Sequence, residues 1–313
     1  MSKDSNAHIF QSLLANAFIA SIKGVAAYMT GSGSMAAETV HSFADCGNQL
    51  LLLFGVKQTQ RPADALHPMG YGRALYFWSF MVAMLLFTGG GVFSIYEGIH
   101  KIRSPEPIEH VGVGLGILGL SLLIEGGATL SNLREMNVRR AGKPFFKYLR
   151  DTKDSDLIVV FGENAAASLG LLLAGLALVV AVLTGDPRWD GAGSVAIGLV
   201  LVAVAVFLAR EVQSLLVGES ADAHIHAAVI AAEVDHPHIL TVLDLITVQQ
   251  GPGEVMVAVK VFMTPTLTFV EAAHAINAFE GAVRARAPEV AWLFVEPDVP
   301  RDGKPGISTV PST

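Results

Sequence analysis

Uninterrupted apolar runs, rather than alternation or a narrow helical stripe, dominate the first two thirds of the chain. A bilayer crossing needs about 20 apolar residues at roughly 1.5 Å each, and six segments reach that length. Residues 74–96 and 191–209 contain no charged residue, residues 111–133 contain only Glu125, and residues 157–185 only Glu163. Two less obvious segments precede them: residues 9–30, with Lys23 inside, and residues 35–56, with Glu38, His41 and Asp45. The first lacks the short basic head, compact apolar core and small-residue cleavage site of a signal peptide, so it is expected to be retained.

After residue 217 the texture changes to that of a small α+β unit. Residues 221–234 have helical apolar spacing, and β-branched runs at 239–249 and 255–263 flank the turn Gly251-Pro252-Gly253-Glu254. A second helix is predicted over 269–285, with Thr268 and Glu271 spaced as a capping box. A last strand at 290–295 completes the order αββαβ. The predicted organisation is a six-helix transmembrane domain (1–217), a cytoplasmic αββαβ dimerisation domain (218–300) and a flexible tail (301–313).

The side assignment rests on Lys and Arg, which bias short loops toward the cytoplasm. The turn Gly31-Ser32-Gly33-Ser34 has none, the third-to-fourth connection has Lys101 and Arg103, and the fifth-to-sixth has Arg188. On the other side stand Lys57, Arg61 and Arg73, a cluster from Arg134 to Lys153, and Arg210. Both termini are therefore expected in the cytoplasm, the membrane being the cell inner membrane if the source is bacterial.

Composition narrows the classes further. With 52% hydrophobic and 16% charged residues and a mean hydropathy of +0.50, the chain is too apolar for an ordinary soluble enzyme. The one cysteine, Cys46, makes no internal disulfide. The formal charge of -7 falls on the last part: residues 1–217 carry 16 acids and 16 bases, residues 218–313 twelve acids and five bases. No basic nucleic-acid footprint exists.

An ionisable group in hydrocarbon is costly unless it faces a cavity or a partner, so each one inside a span is a functional candidate. The leading pair is His41 and Asp45, four apart and so on one helix face. Imidazole plus carboxylate suits a first-row divalent cation completed by donors from another helix, or equally a hydrogen-bonded pair that joins helices. The fifth span offers Glu163 and Asn164 among Gly162 and small residues 165–168, which would let the second and fifth spans approach closely. Glu163 otherwise reads as a protonated packing residue. Glu125 before Gly126-Gly127 lines a water path or a helix contact, and Glu97 and Lys23 read as span-end groups that snorkel or pair. The basic cluster 139–153 fits a topology determinant. His224, His226, His236 and His238 fit solvated surface better than a metal cluster, and Asp64 with His67 is a weak loop candidate. No activated nucleophile or paired acid and base accompanies these groups, so an enzyme is not expected.

The run Ala37-Glu38-Thr39-Val40-His41-Ser42-Phe43-Ala44-Asp45, after Gly31-Ser32-Gly33-Ser34, and the loop His67-Pro68-Met69-Gly70-Tyr71-Gly72-Arg73 together resemble the cation diffusion facilitator family, the ZnT-type metal/proton antiporters. The resemblance covers nearly the whole chain and implies a homodimer with a metallochaperone-like cytoplasmic domain. It implies a divalent cation, most often zinc, bound between spans two and five. His41 and Asp45 match the family's span-two ligands. The usual span-five HxxxD is absent: Val160 falls at the His position and Asn164 at the Asp position, so Glu163 and Asn164 stand in for the second pair. In the soluble domain the ligand positions of zinc-rich members hold Leu243, Lys260, Val295 and Glu296, which implies no permanent metal cluster there. Tyr71 stands where some members have another His in the loop.

The expected protein is an α-helical polytopic membrane transporter that exports a divalent metal, zinc or another transition metal as substrate, against protons. Its expected partners are the metal ion, protons, lipid and a second copy of itself, with no resident cofactor. The alternative is a non-transporting metal sensor or partner-binding membrane protein on the same scaffold.

Overall fold

The computed structural model describes residues 3–140, 142–151 and 155–300. The tail expected over 301–313 lies outside them. The contacts divide the chain into one unit of residues 1–57, 76–150 and 154–213 and a second of residues 58–75, 151–153 and 214–313.

The first unit is all helix. It contains α1 (Lys3–Thr30), α2 (Gly33–Thr59), α3 (Ala74–Leu85), a π-helical stretch (Leu86–Val92), α4 (Phe93–Arg103), α5 (Val111–Arg139), α6 (Phe145–Asp151), α7 (Ser155–Thr184) and most of α8 (Arg188–Val217). Among the described residues four stretches are long and apolar enough to cross a membrane: Ala74–Arg103, Val111–Arg139, Leu157–Thr184 and Arg188–Val217. Helix is the form that satisfies every backbone amide internally in lipid. Their outer faces stay apolar and open, as at Leu123, Leu172 and Leu183. Helices α1 and α2 are as long, at 28 and 27 residues, but carry polar groups within.

Close packing in this unit depends on glycine. A methyl group on Gly98 would stand 2.5 Å from the Gly191 carbonyl oxygen, and one on Gly198 2.7 Å from that of Gly91. Backbones of α8 and the α3–α4 span therefore touch, as small residues allow in membrane helices. Gly162 serves the same end against Leu208 of α8, so its small side is not what brings the second and fifth spans together. That approach falls at Gly170 of α7, where any side chain would collide with the Glu38 carboxylate.

The turn between α1 and α2 has its own logic. Gly31 ends α1 in the left-handed region at φ 63°. Ser32 then caps α2, its hydroxyl accepting from the Met35 amide at 3.2 Å. Asp190 of α8, 2% exposed, accepts from the Ser32 hydroxyl at 2.7 Å, from the Gly33 amide at 2.6 Å and from the Ser34 hydroxyl. A carboxylate from α8 thus neutralises the positive end of α2.

The second unit holds α9 (Ala223–Val234), β1 (Ile239–Gly251), β2 (Glu254–Met263), α10 (Phe269–Arg286) and β3 (Val290–Pro297). The sheet order is β1-β2-β3, with β1 antiparallel and β3 parallel to β2. Pro252 and Gly253 turn the hairpin; Gly253 takes φ 69°, which a side chain would resist. Strand β2 buries Val255, Val257, Val259 and Val261 in alternation against a core containing Ile225, Val229, Phe279 and Val283. The capping box at α10 is formed: Thr268 and Glu271 exchange bonds with each other's backbone amides. Hydrogen bonding to Thr268 keeps the Glu271 carboxyl below its usual range.

Candidate cation site

Helical spacing gives each of three helices a stripe on which polar side chains stand among small or apolar ones. On α2 the stripe is Glu38, Ser42, Asp45 and Gln49, on α7 Val160, Glu163, Asn164 and Ala167, and on α1 Asn16, Ile19 and Lys23. With Ile124, Glu125 and Ala128 of α5, much of these stripes lines a cavity of about 290 Å³. Ser42, Asp45, Gln49, Glu125, Glu163 and Asn164 all face it, and no Lys or Arg is among its lining residues.

Of the four residues predicted as metal ligands, Asp45, Glu163 and Asn164 meet at this cavity. His41 does not line it. The imidazole is fully buried, its Nδ1 3.6 Å from Asp45 Oδ1, and a methyl group on Gly90 of the π-helical stretch would lie 3.9 Å from the same nitrogen. Neither ring nitrogen has a hydrogen-bond partner. Glu163 Oε1 accepts from Asn48 Nδ2 at 2.5 Å, which joins α2 to α7 across the site. Thr129 of α5 donates to the Asn164 carbonyl at 2.9 Å and bonds Ser168 at 2.7 Å, fixing α7 against α5.

Several oxygen acceptors here are buried without a donor: Asp45 Oδ1, Asn48 Oδ1, Gln49 Oε1 and Glu125 Oε2. Buried acceptors are normally satisfied, and oxygens left bare beside a cavity are what a cation or proton would satisfy. Among the described residues no three His, Cys, Asp or Glu side chains stand close enough to hold one ion, so the donors surround the space without closing on it.

Lys23 pairs, as one of its two sequence readings had it, but not as a snorkelling span-end group: it is fully buried, with Nζ 2.8 Å from Glu125 Oε1, 2.8 Å from Ser42 Oγ and 3.4 Å from Glu38 Oε2. Glu125 is correspondingly more than a helix contact. Asn48 and Gln49 were missed, although they lie three and four residues after Asp45, the spacing that signals a shared face.

The loop candidates in the second unit have local work. Asp64 accepts from the Leu66 and His67 amides at 2.9 and 2.8 Å and from the Tyr71 hydroxyl at 2.7 Å, and the Tyr71 ring lies 4.2 Å from His67. The Tyr71 hydroxyl first, then these amides, hold its carboxyl below the usual range. His224 bonds Glu289 at 2.5 Å, and His236 Nδ1 meets the Ala232 carbonyl at 2.8 Å. Lys260 pairs with Glu296 at 2.9 Å and Asp298 at 3.3 Å, which draws its ammonium above its usual range.

Helices of bilayer length that, with α1 and α2, bring carboxylates and amides to a cavity between them define an integral membrane protein with a polar inner site. The family model for the cation efflux transmembrane domain matches residues 9–217, and the chain belongs to that family. It is 37% identical over 193 residues to the mitochondrial proton-coupled zinc antiporter of Xenopus laevis, covering 61% of this chain and 34% of that protein. A metal tolerance protein of Arabidopsis thaliana is 32% identical over 212 residues, 67% of this chain and 46% of its own. The cation-efflux pump FieF of Shigella flexneri is 28% identical over 288 residues, 90% of each chain. The chain thus spans about a third of the length of the antiporter relatives it matches.

Proposed function

We propose that this protein exports a divalent cation, zinc, from the cytoplasm in exchange for protons. In this reading α1 and α2 are spans too, making six, and both termini and the αββαβ domain are cytoplasmic. Two copies form a homodimer through the soluble domain, as the family resemblance implies. The cargo sits between spans two and five, held by Asp45, Glu163 and Asn164 at the cavity, with His41 as the nitrogen donor.

The observation that carries this is the cavity itself: acids from three helices, no base in its lining and unpartnered oxygens around it. Carboxylates out of water hold either protons or a cation, so the two compete for the same atoms and exchange follows. Rocking of helices around a midplane site would draw His41 and the acids together on one side and separate them on the other. The relatives' printed activities, a proton-coupled zinc antiporter and a cation-efflux pump, support the same assignment.

The test is flux in proteoliposomes with a zinc indicator and a pH dye. Asp45→Ala and His41→Ala should abolish zinc entry and the coupled proton signal; transport equal to the parent in both would overturn the site. The open donor arrangement favours one rival, a metal sensor that binds without transport. Zinc heat without flux in the parent protein would decide for it.

A further inference from the structure

We propose that Lys23 is a tethered counter-cation that holds Glu125 while the cargo is absent and moves to Glu38 when the cargo takes Glu125. This rests on reading the cavity as the cargo site.

An ammonium buried at 0% exposure is tolerated only with excellent partners. The three protons of Lys23 find three oxygens: Glu125 Oε1 and Ser42 Oγ at 2.8 Å, and Glu38 Oε2 at the longer 3.4 Å. The first two residues line the cavity, and Glu38 does not. Glu125 therefore belongs to two places at once, with Oε1 on the ammonium and Oε2 buried without a partner. A divalent ion among Asp45, Glu163 and Glu125 would share a carboxylate with the ammonium, and like charges that close repel strongly even at an effective dielectric constant of about 20.

The second resting place is already built. Glu38 is fully buried, its Oε2 within reach of Nζ and its Oε1 unpartnered. It lies one turn from Ser42 along α2, so the ammonium needs only a side-chain swing to exchange Glu125 for Glu38. The groups facing Lys23 are Glu38, Ser42 and, a turn further, Asp45 from α2, and Glu125 from α5. Cargo and lysine thus compete for Glu125, which makes Lys23 a determinant of affinity: it keeps the site from holding its cargo too tightly to release it.

The experiment is zinc titration calorimetry on the full chain in detergent at fixed pH, with thermal melting as the control for folding. Lys23→Met should bind zinc about tenfold more tightly or better, because the repelling charge is gone. Glu38→Gln should bind it several-fold more weakly, because the ammonium loses its alternative partner, and this effect should vanish in the Lys23→Met background. A purely structural lysine would weaken binding when removed. Lys23→Met that folds and binds zinc no better than the parent overturns the proposal. Where that variant does not fold, Glu38→Gln decides, and unchanged affinity overturns it. Asp45→Ala separates the premises: zinc binding equal to the parent removes the cargo site and this inference together, whereas binding lost in Asp45→Ala but unchanged in folded Lys23→Met removes the lysine role alone.

Discussion

Asp190→Ala should destabilise the helical unit far more than its position at the first turn of α8 suggests. The carboxylate lies 158 residues from Ser32, yet it takes the Gly33 amide at 2.6 Å and two serine hydroxyls at the start of α2. After truncation the hydroxyls of Ser32 and Ser34, 3.1 Å apart, still bond each other. The Gly33 amide is left without an acceptor. A bond to a charged group contributes about 1.5–3 kcal/mol, and the charge at a buried helix start up to about 2 kcal/mol more, so the loss is about 2–5 kcal/mol. On the scale of domains this size, each kcal/mol moves the melting temperature by about 2–4 °C, and the expected drop is about 10 °C. Asp190→Asn keeps one acceptor oxygen and should lose about half as much. Thermal melting of the purified protein in one detergent, followed by intrinsic fluorescence, measures both. If Asp190→Ala melts within about 2 °C of the parent, the cross-helix cap contributes nothing and the argument is wrong.

Gly98→Ala should cost about 1–3 kcal/mol, because its methyl group meets the fixed Gly191 carbonyl oxygen at 2.5 Å. Gly116→Ala, with nothing within 4 Å, should instead be neutral or stabilising, and equal melting of the two would refute the contact. Phe279→Ala empties the centre of the αββαβ core and should cost about 3–5 kcal/mol, read as faster hydrogen exchange in β2 and α10; unchanged exchange would contradict the packing. Tyr71→Phe removes the largest cause of the lowered Asp64 value, so its carboxyl titration, followed by NMR, should move upward. The sign follows: a carboxyl lowered in the folded loop stabilises it above the ordinary aspartate range and loses that contribution as pH falls through the folded value. The Tyr71→Phe loop should therefore lose its pH-linked order at a higher pH than the parent, and an unmoved titration would show that the hydroxyl is not the cause.

What could be read from the chain were features whose cause is local. Four apolar runs form helices of bilayer length because each run settles its own backbone bonding. The valine alternation of β2 and the Thr268–Glu271 cap form as spaced, since period and cap act within a few residues. What escaped were arrangements whose cause is distant in sequence. Lys23 pairs with a carboxylate 102 residues away, so its burial had no local sign. Gly162 was read as making room for the second span but accommodates Leu208. Asp64 was weighed as a metal ligand, yet neighbours within seven residues already engage both its oxygens.

The two helices that fall short of the apolar spans also bring Asn16, Ser42, Asp45 and Gln49 to the cavity, more polar side chains than α5 and α7 together. Had α1 and α2 been as apolar as α7 or α8, Asn16, Ser42, Asp45 and Gln49 would be gone, and with them the greater part of the polar wall, as would Lys23 and Glu38 behind it. Their polar stripes stay inside because each group finds its match on a neighbouring helix: Lys23 on Glu125, Asn48 on Glu163. The mutual satisfaction is incomplete, and among the described residues the unpartnered side-chain atoms of the cavity lining, on Asp45, Gln49 and Glu125, are all acceptors. A wall built for helix association alone would pair donors with acceptors and leave few of either. An excess of one kind, facing a cavity, is the signature of a surface shaped to receive positive charge.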